Sequence, residues 1–156
     1  MQRREFFKKL GVVAAASTVV PTMGFAAEDK KPVSPNAMAY KTALDAITGG
    51  KTAIESSKLK LKAPEIAENG AVVPVTITVD SPMTEADYVK SIHILASKNA
   101  NSRCADIHLT PANGKAMLAT RIKLGGTQDV VAIAKMSNGD VFIASQNVKV
   151  TIGGCG

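Results

Sequence analysis

AVVPVTITVD, residues 71–80, sets Val73, Val75, Ile77 and Val79 against Pro74, Thr76 and Thr78 at every second position. Successive side chains of a strand point to opposite faces, so this spacing puts four branched apolar groups on one side and leaves the threonines toward solvent. The segment is a half-buried strand. Pro74 has no N–H to give to a ladder, which predicts an edge position or a local bulge there.

The same period extends outward. Leu59 and Leu61 alternate with Lys58, Lys60 and Lys62, and similar runs cover about 88–97, 103–110, 116–124, 129–136 and 141–152. Asn113-Gly114 and Asn138-Gly139 supply the positive φ of tight hairpin turns, and Gly125-Gly126 makes a third turn. Ahead of the strands, Ser34-Pro35 reads as a helix cap with proline at the first helical position. Tyr40, Ala43, Leu44 and Ile47 recur at helical spacing, and Gly49-Gly50 ends the pattern, which predicts one helix over 35–48. About seven strands behind one N-terminal helix give an all-β expectation, an immunoglobulin-like antiparallel β-sandwich, with a closed barrel as the alternative.

Residues 1–26 belong to a different pattern. A charged start, MQRREFFKKL, leads into an apolar stretch from Leu10 to Phe25 and small residues around Ala26, the form of an export signal cut after Ala26. The stretch is shorter than the roughly 20 residues of a bilayer span and is broken by Gly11 and Pro21, so no membrane anchor is expected. Arg3-Arg4 followed by Glu5, Phe6, Phe7 and Lys8 resembles the twin-arginine motif that exports folded cargo, with Gln2 and Phe7 departing from its usual residues. The expected working protein is residues 27–156, one periplasmic domain. Without the leader the formal charge falls from +6 to +3, and Tyr40, Tyr88 and Phe142 are the aromatic residues left. Nucleic-acid binding loses both its charge and its stacking platforms.

Side chains able to carry chemistry are few. His93 and His108 lie in strand-like runs, and Cys104, Asp106 and His108 fall at i, i+2 and i+4, on one face of a flat strand. Neighbours on one strand face stand roughly 6–7 Å apart and do not converge on one ion, so partly exposed sheet residues are the preferred reading and no metal is expected. Cys155 is the more informative residue. It stands second from the last position, between Gly153-Gly154 and Gly156, just past the last strand. In an oxidising compartment two cysteines ordinarily pair, and an adaptor with a structural Cys104–Cys155 disulfide is the alternative. Glycines on both sides instead give the backbone freedom, and three residues beyond Ile152 reach roughly 10 Å. Nothing adjacent in sequence activates the thiol, and the terminal carboxylate disfavours its thiolate, so a partner has to supply the activation. Residues 27–156 thus read as a folded domain with a mobile C-terminal arm whose sulfur takes a covalent passenger to other proteins. An autonomous sulfurtransferase is a third reading.

The leader, the segment PEIAENGAVVPVTITVDSP from Pro64 to Pro82, and the terminal GGCG from Gly153 together resemble the SoxY family, the covalent sulfur carriers of the bacterial thiosulfate-oxidising (Sox) system. The resemblance implies that Cys155 carries thiosulfate-derived intermediates as cysteine S-thiosulfonate and related adducts. It implies a noncatalytic subunit without metal or haem, on an immunoglobulin-like fold, in a heterodimer with the smaller β-sandwich subunit SoxZ. A c-type haem enzyme would couple thiosulfate to the thiol, a dimanganese hydrolase would release sulfate, and in complete pathways a sulfane dehydrogenase would oxidise the sulfur left behind. Two features depart from the family pattern: the chain ends one glycine short of the usual Gly-Gly-Cys-Gly-Gly, and it has the additional Cys104, expected to be a buried bystander, with a redox partner for the arm or a link between molecules as the alternatives.

Overall fold

The computed structural model describes residues 36–154. One helix, α1 (Tyr40–Thr48), precedes nine strands: β1 (Ile54–Glu55), β2 (Leu59–Lys62), β3 (Ile66–Asn69), β4 (Val73–Val79), β5 (Val89–Ala96), β6 (Arg103–His108), β7 (Ala116–Ile122), β8 (Gln128–Met136) and β9 (Val141–Ile152). They form two sheets. The larger runs β1-β9-β8-β5-β6 with β3 also paired to β9, and the smaller runs β2-β4-β7. The alternating residues of β4 do what their spacing requires: Val73, Val75, Ile77 and Val79 are all buried. They face Ile92 and Ile94 of β5, Val130, Ala132 and Ala134 of β8, and Phe142 and Val148 of β9, in one apolar core between the sheets. The fold is the immunoglobulin-like sandwich, not a closed barrel.

All seven expected strands are present, and β1 and β3 are additional. Both pair with β9 in parallel, Ile54 opposite Phe142 and Ile66 opposite Lys149, so the larger sheet is mixed. Neither had an alternating signature: β1 has two exposed residues, and of β3 only Ala67 is buried. Pro74 belongs to the middle strand of its sheet, yet β2 stops at Lys62 opposite Thr76, so the ladder on that side ends before it reaches the proline.

Two local expectations need correction. The helix begins at Tyr40, not at 35, with Ala39 as an N-cap that makes no side-chain capping bond. The backbone before it is committed elsewhere: Met38 N–H donates to Ala100 O at 3.0 Å and Met38 O accepts from Ser102 N–H at 2.9 Å, a pairing incompatible with a helical turn. Ser34 and Pro35 lie outside the described residues. Of the three proposed turns, only Asn138-Gly139 closes a hairpin, with Gly139 at φ 93° between β8 and β9. Asn113-Gly114 and Gly125-Gly126 lie in connections that cross from one sheet to the other, β6 to β7 and β7 to β8.

α1 covers the outer face of the larger sheet. Ala43 and Ile47 pack with Leu95, Val131, Ile133 and Val141 in a second, smaller core, as the helical stripe requires. Gly49, in the left-handed region at φ 62°, stops the helix and returns its N–H to Asp45 O.

Candidate functional site

β9 is the longest strand, and it delivers the chain end to one rim of the sandwich. Its last turn of ladder is tied on both sides: Lys149 N–H donates to Glu65 O at 2.9 Å, and Val150 N–H to Thr127 Oγ1 at 3.0 Å. Beyond Ile152, Gly153 and Gly154 stay against the surface. Gly154 N–H donates to Leu124 O at 2.9 Å, Leu124 N–H donates to Gly70 O at 2.7 Å, and Gly70 N–H donates to Ile152 O at 2.7 Å. Three backbone segments thereby close on one another at the foot of the proposed arm.

Glycine is required here for close approach. A Cβ on Gly154 would sit 2.7 Å from the Ala71 backbone, one on Gly153 would sit 2.5 Å from Gly125 O, and one on Gly70 would sit 2.3 Å from Leu124 O. In this conformation the freedom expected of Gly153 and Gly154 gives way to seating against the loops after β3 and β7. Cys155 and Gly156 lie outside the described residues, as does the leader, residues 1–26.

Cys104 is a free thiol, partly buried. A bulge between Ile94 and Leu95 in the β5–β6 pairing sets Ala105 opposite Ile94 and Arg103 opposite Leu95, so Cys104 is the extra residue. It packs on the inter-sheet core with Ala105, Ile107 and Leu109, away from Asp106, which corrects the single face expected for Cys104, Asp106 and His108. Burial pushes its thiol up from 9.0 to about 11, helped by the Asp106 charge and opposed by hydrogen bonds from Ala96 and Asn99. Its Sγ points at Ser102 O, 3.6 Å away. At neutral pH the thiol is protonated and a poor nucleophile, which suits a bystander.

Asp106 has other partners, and sequence reasoning missed them. It accepts from His93 Nδ1 and, at 2.6 Å, from Arg103 Nε, while His93 Nε2 lies 2.9 Å from Ser91 Oγ. The signal available was register: His93 stands opposite Asp106 and Ser91 opposite His108 across β5 and β6. Burial lowers the His93 imidazole below its ordinary value, outweighing the pull of Asp106 in the other direction. Burial alone would raise the Asp106 carboxyl, but bonds and charge from Arg103 and His93 hold it low. Hydroxyl, imidazole and carboxylate are in the order of a hydrolytic triad, yet Ser91 and His93 are each 3% exposed, so the hydroxyl is closed to substrate. The row satisfies a buried histidine. His108 meets the His93 ring edge-on at 6.3 Å, and among the described residues no three His, Cys, Asp or Glu side chains are placed to hold a metal ion.

The chain matches the family profile "Sulfur oxidation protein SoxY" over residues 44–155. Among solved structures it is similar to the sulfur carrier protein SoxY from Chlorobium limicola f thiosulfatophilum, with 32% identity and a TM-score of 0.61, over 72% of this chain and 96% of that one. The superoxide reductase (neelaredoxin) from Ignicoccus hospitalis is similar with a TM-score of 0.54 at 18% identity, over 74% of this chain and 95% of that one, a likeness of fold alone. No curated protein sequence matches at a significant level.

Proposed function

The chain belongs to the SoxY family, and from that premise we propose that it is a periplasmic sulfur carrier that binds thiosulfate-derived sulfur covalently on Cys155. Its role is that of a noncatalytic subunit. The observation that carries the reading is the extent of the family match, which continues through the last strand to residue 155, beyond the end of the sandwich itself.

The proposed chemistry is the one that membership of the family implies. Oxidative coupling joins Cys155 Sγ to the sulfane sulfur of thiosulfate; two electrons leave to a c-type haem partner and the thiol proton goes to solvent. Hydrolysis by a dimanganese partner then cleaves the bond to the sulfone, releasing sulfate and leaving a persulfide on Cys155. A sulfane dehydrogenase oxidises that sulfur where the pathway is complete. In this reading the partners supply the oxidant and the metal, and a partner's site favours the Cys155 thiolate. A SoxZ-like β-sandwich subunit is the expected heterodimer partner. Export of the folded chain by the twin-arginine route would let a leaderless subunit cross with it.

Replacing Cys155 with Ser tests the assignment. In a reconstituted thiosulfate-oxidising mixture the substitution is expected to abolish sulfate release while Cys104→Ser leaves it within about twofold, since a substitution away from the reacting atoms loses little transition-state stabilisation. Full activity in the Cys155→Ser variant would overturn the proposal.

A further inference from the structure

The backbone contacts at the end of β9 depend on the loop Lys123–Gly126, and that loop is held by a polar cluster which neither the core nor the carrier chemistry accounts for. Asn99 straddles Leu124: its Nδ2 donates to Lys123 O at 2.8 Å and its Oδ1 accepts from Gly125 N–H at 3.0 Å. Gln128, 1% exposed, completes the arrangement. Its Nε2 donates to Asn99 Oδ1 at 2.8 Å and to Gly126 O at 3.2 Å, and its Oε1 accepts from Lys98 N–H at 2.7 Å. With both neighbouring peptides fixed, Leu124 has one orientation. Its carbonyl points to Gly154 and its N–H to Gly70. On the opposite side Asn69 Oδ1 accepts from Ala71 N–H at 2.9 Å and shapes the turn that brings Gly70 into place.

We infer that Gly70, Leu124 and the Asn99–Gln128 amide pair form a socket that grips the arm at Gly154, with Asn99 as its positioning residue. The arm then has two states. Docked, the hold lies at Gly154, one residue and about 3.5 Å of chain before Cys155; released, the hold falls back to Ile152, three residues and roughly 10 Å before it. A partner whose reacting centre lies at the bottom of a channel receives the sulfur only from the released state, whereas a shallow site can be served from the docked one. Socket occupancy therefore sets which class of partner site the carrier can serve.

This consequence rests on the carrier reading, but the socket itself is measured on the unloaded chain, so failure of one does not imply failure of the other. Amide hydrogen exchange of the mature chain, followed by NMR, tests it. The Gly154 amide is expected to exchange at least about tenfold more slowly than an unstructured glycine, as a locally closed segment does. Gly70→Ala forces a Cβ against Leu124 O and Gly154 N, at 2.3 and 2.8 Å, and should restore coil-like exchange at Gly154 while the β8 amides stay protected. Asn99→Ala, which inserts no bulk, should accelerate the same amide if Gly70→Ala does not fold. Coil-rate exchange at Gly154 in the unaltered chain would overturn the inference, as would protection left unchanged by Asn99→Ala.

Discussion

At the scale of single residues, the structure takes Cys104 away from Asp106 and His108, the two groups that sequence spacing placed with it on one face. Cys104 turns inward at a bulge, Asp106 reaches across to His93, and His108 stays exposed on the outer face of its strand. The difference is one extra residue in β6, and a one-residue shift exchanges the faces of a strand without any trace in composition. His93 has a measurable consequence. It is faced by Ser91, Asp106, Arg103 and His108, and its imidazole pKa is lowered by burial. The unfolded chain takes up a proton near pH 6.5 that the folded one resists, so stability present above that value falls as pH drops toward the lower folded pKa. Asp106, held low, adds its own loss only further down, as pH falls from about 3.9 through its folded value. Urea unfolding at pH 7.0 and 5.5 (about one unit below the free imidazole value) is expected to show lower stability at the acid pH, and His93→Gln to flatten that difference. Equal stability at both pH values in the unaltered chain would contradict the assignment.

At the scale of elements, what was legible is what repeats. β4, β5, β8 and β9 carry enough alternating or continuous apolar residues for burial to dominate, and their expected bounds hold to within a residue or two. The start of α1 was not legible, because the bonds from Met38 to Ala100 and Ser102 are made with a segment some sixty residues away and override the local Ser34-Pro35 signal. β1 and β3 were invisible for a related reason: they exist as additions to the edge of β9, held by main-chain bonds that any side chains would permit. The helix, by contrast, depends on side chains. Ile47, 2% exposed, packs α1 onto Leu95, Val131 and Ile133, and Ile47→Ala should lower the unfolding free energy by about 2–4 kcal/mol. A change below about 0.5 kcal/mol in a urea titration would show that the helix is not anchored by that face.

At the scale of the whole molecule, the sandwich holds the segment after β9, through Gly154, against its rim. Two sheets close on an apolar core, the polar row around His93 lies on the outer side of the larger sheet, and β9 runs to the rim where the loops after β3 and β7 meet its end. Cys155 is singled out by sequence alone, as a thiol wrapped in glycine with few structural uses, and lies outside the described residues. The seating of Gly153 and Gly154 could not be read there, since it is set by Gly70 and Leu124, distant in sequence and ordinary in type. The central claim concerns Cys155, and intact-protein mass spectrometry of carrier recovered from cells consuming thiosulfate tests it most directly. A family of sulfur adducts, removed by a thiol reductant and missing from the Cys155→Ser variant, is the expected result. Carrier that remains unmodified throughout turnover, or adducts that persist after Cys155 is replaced, would contradict it.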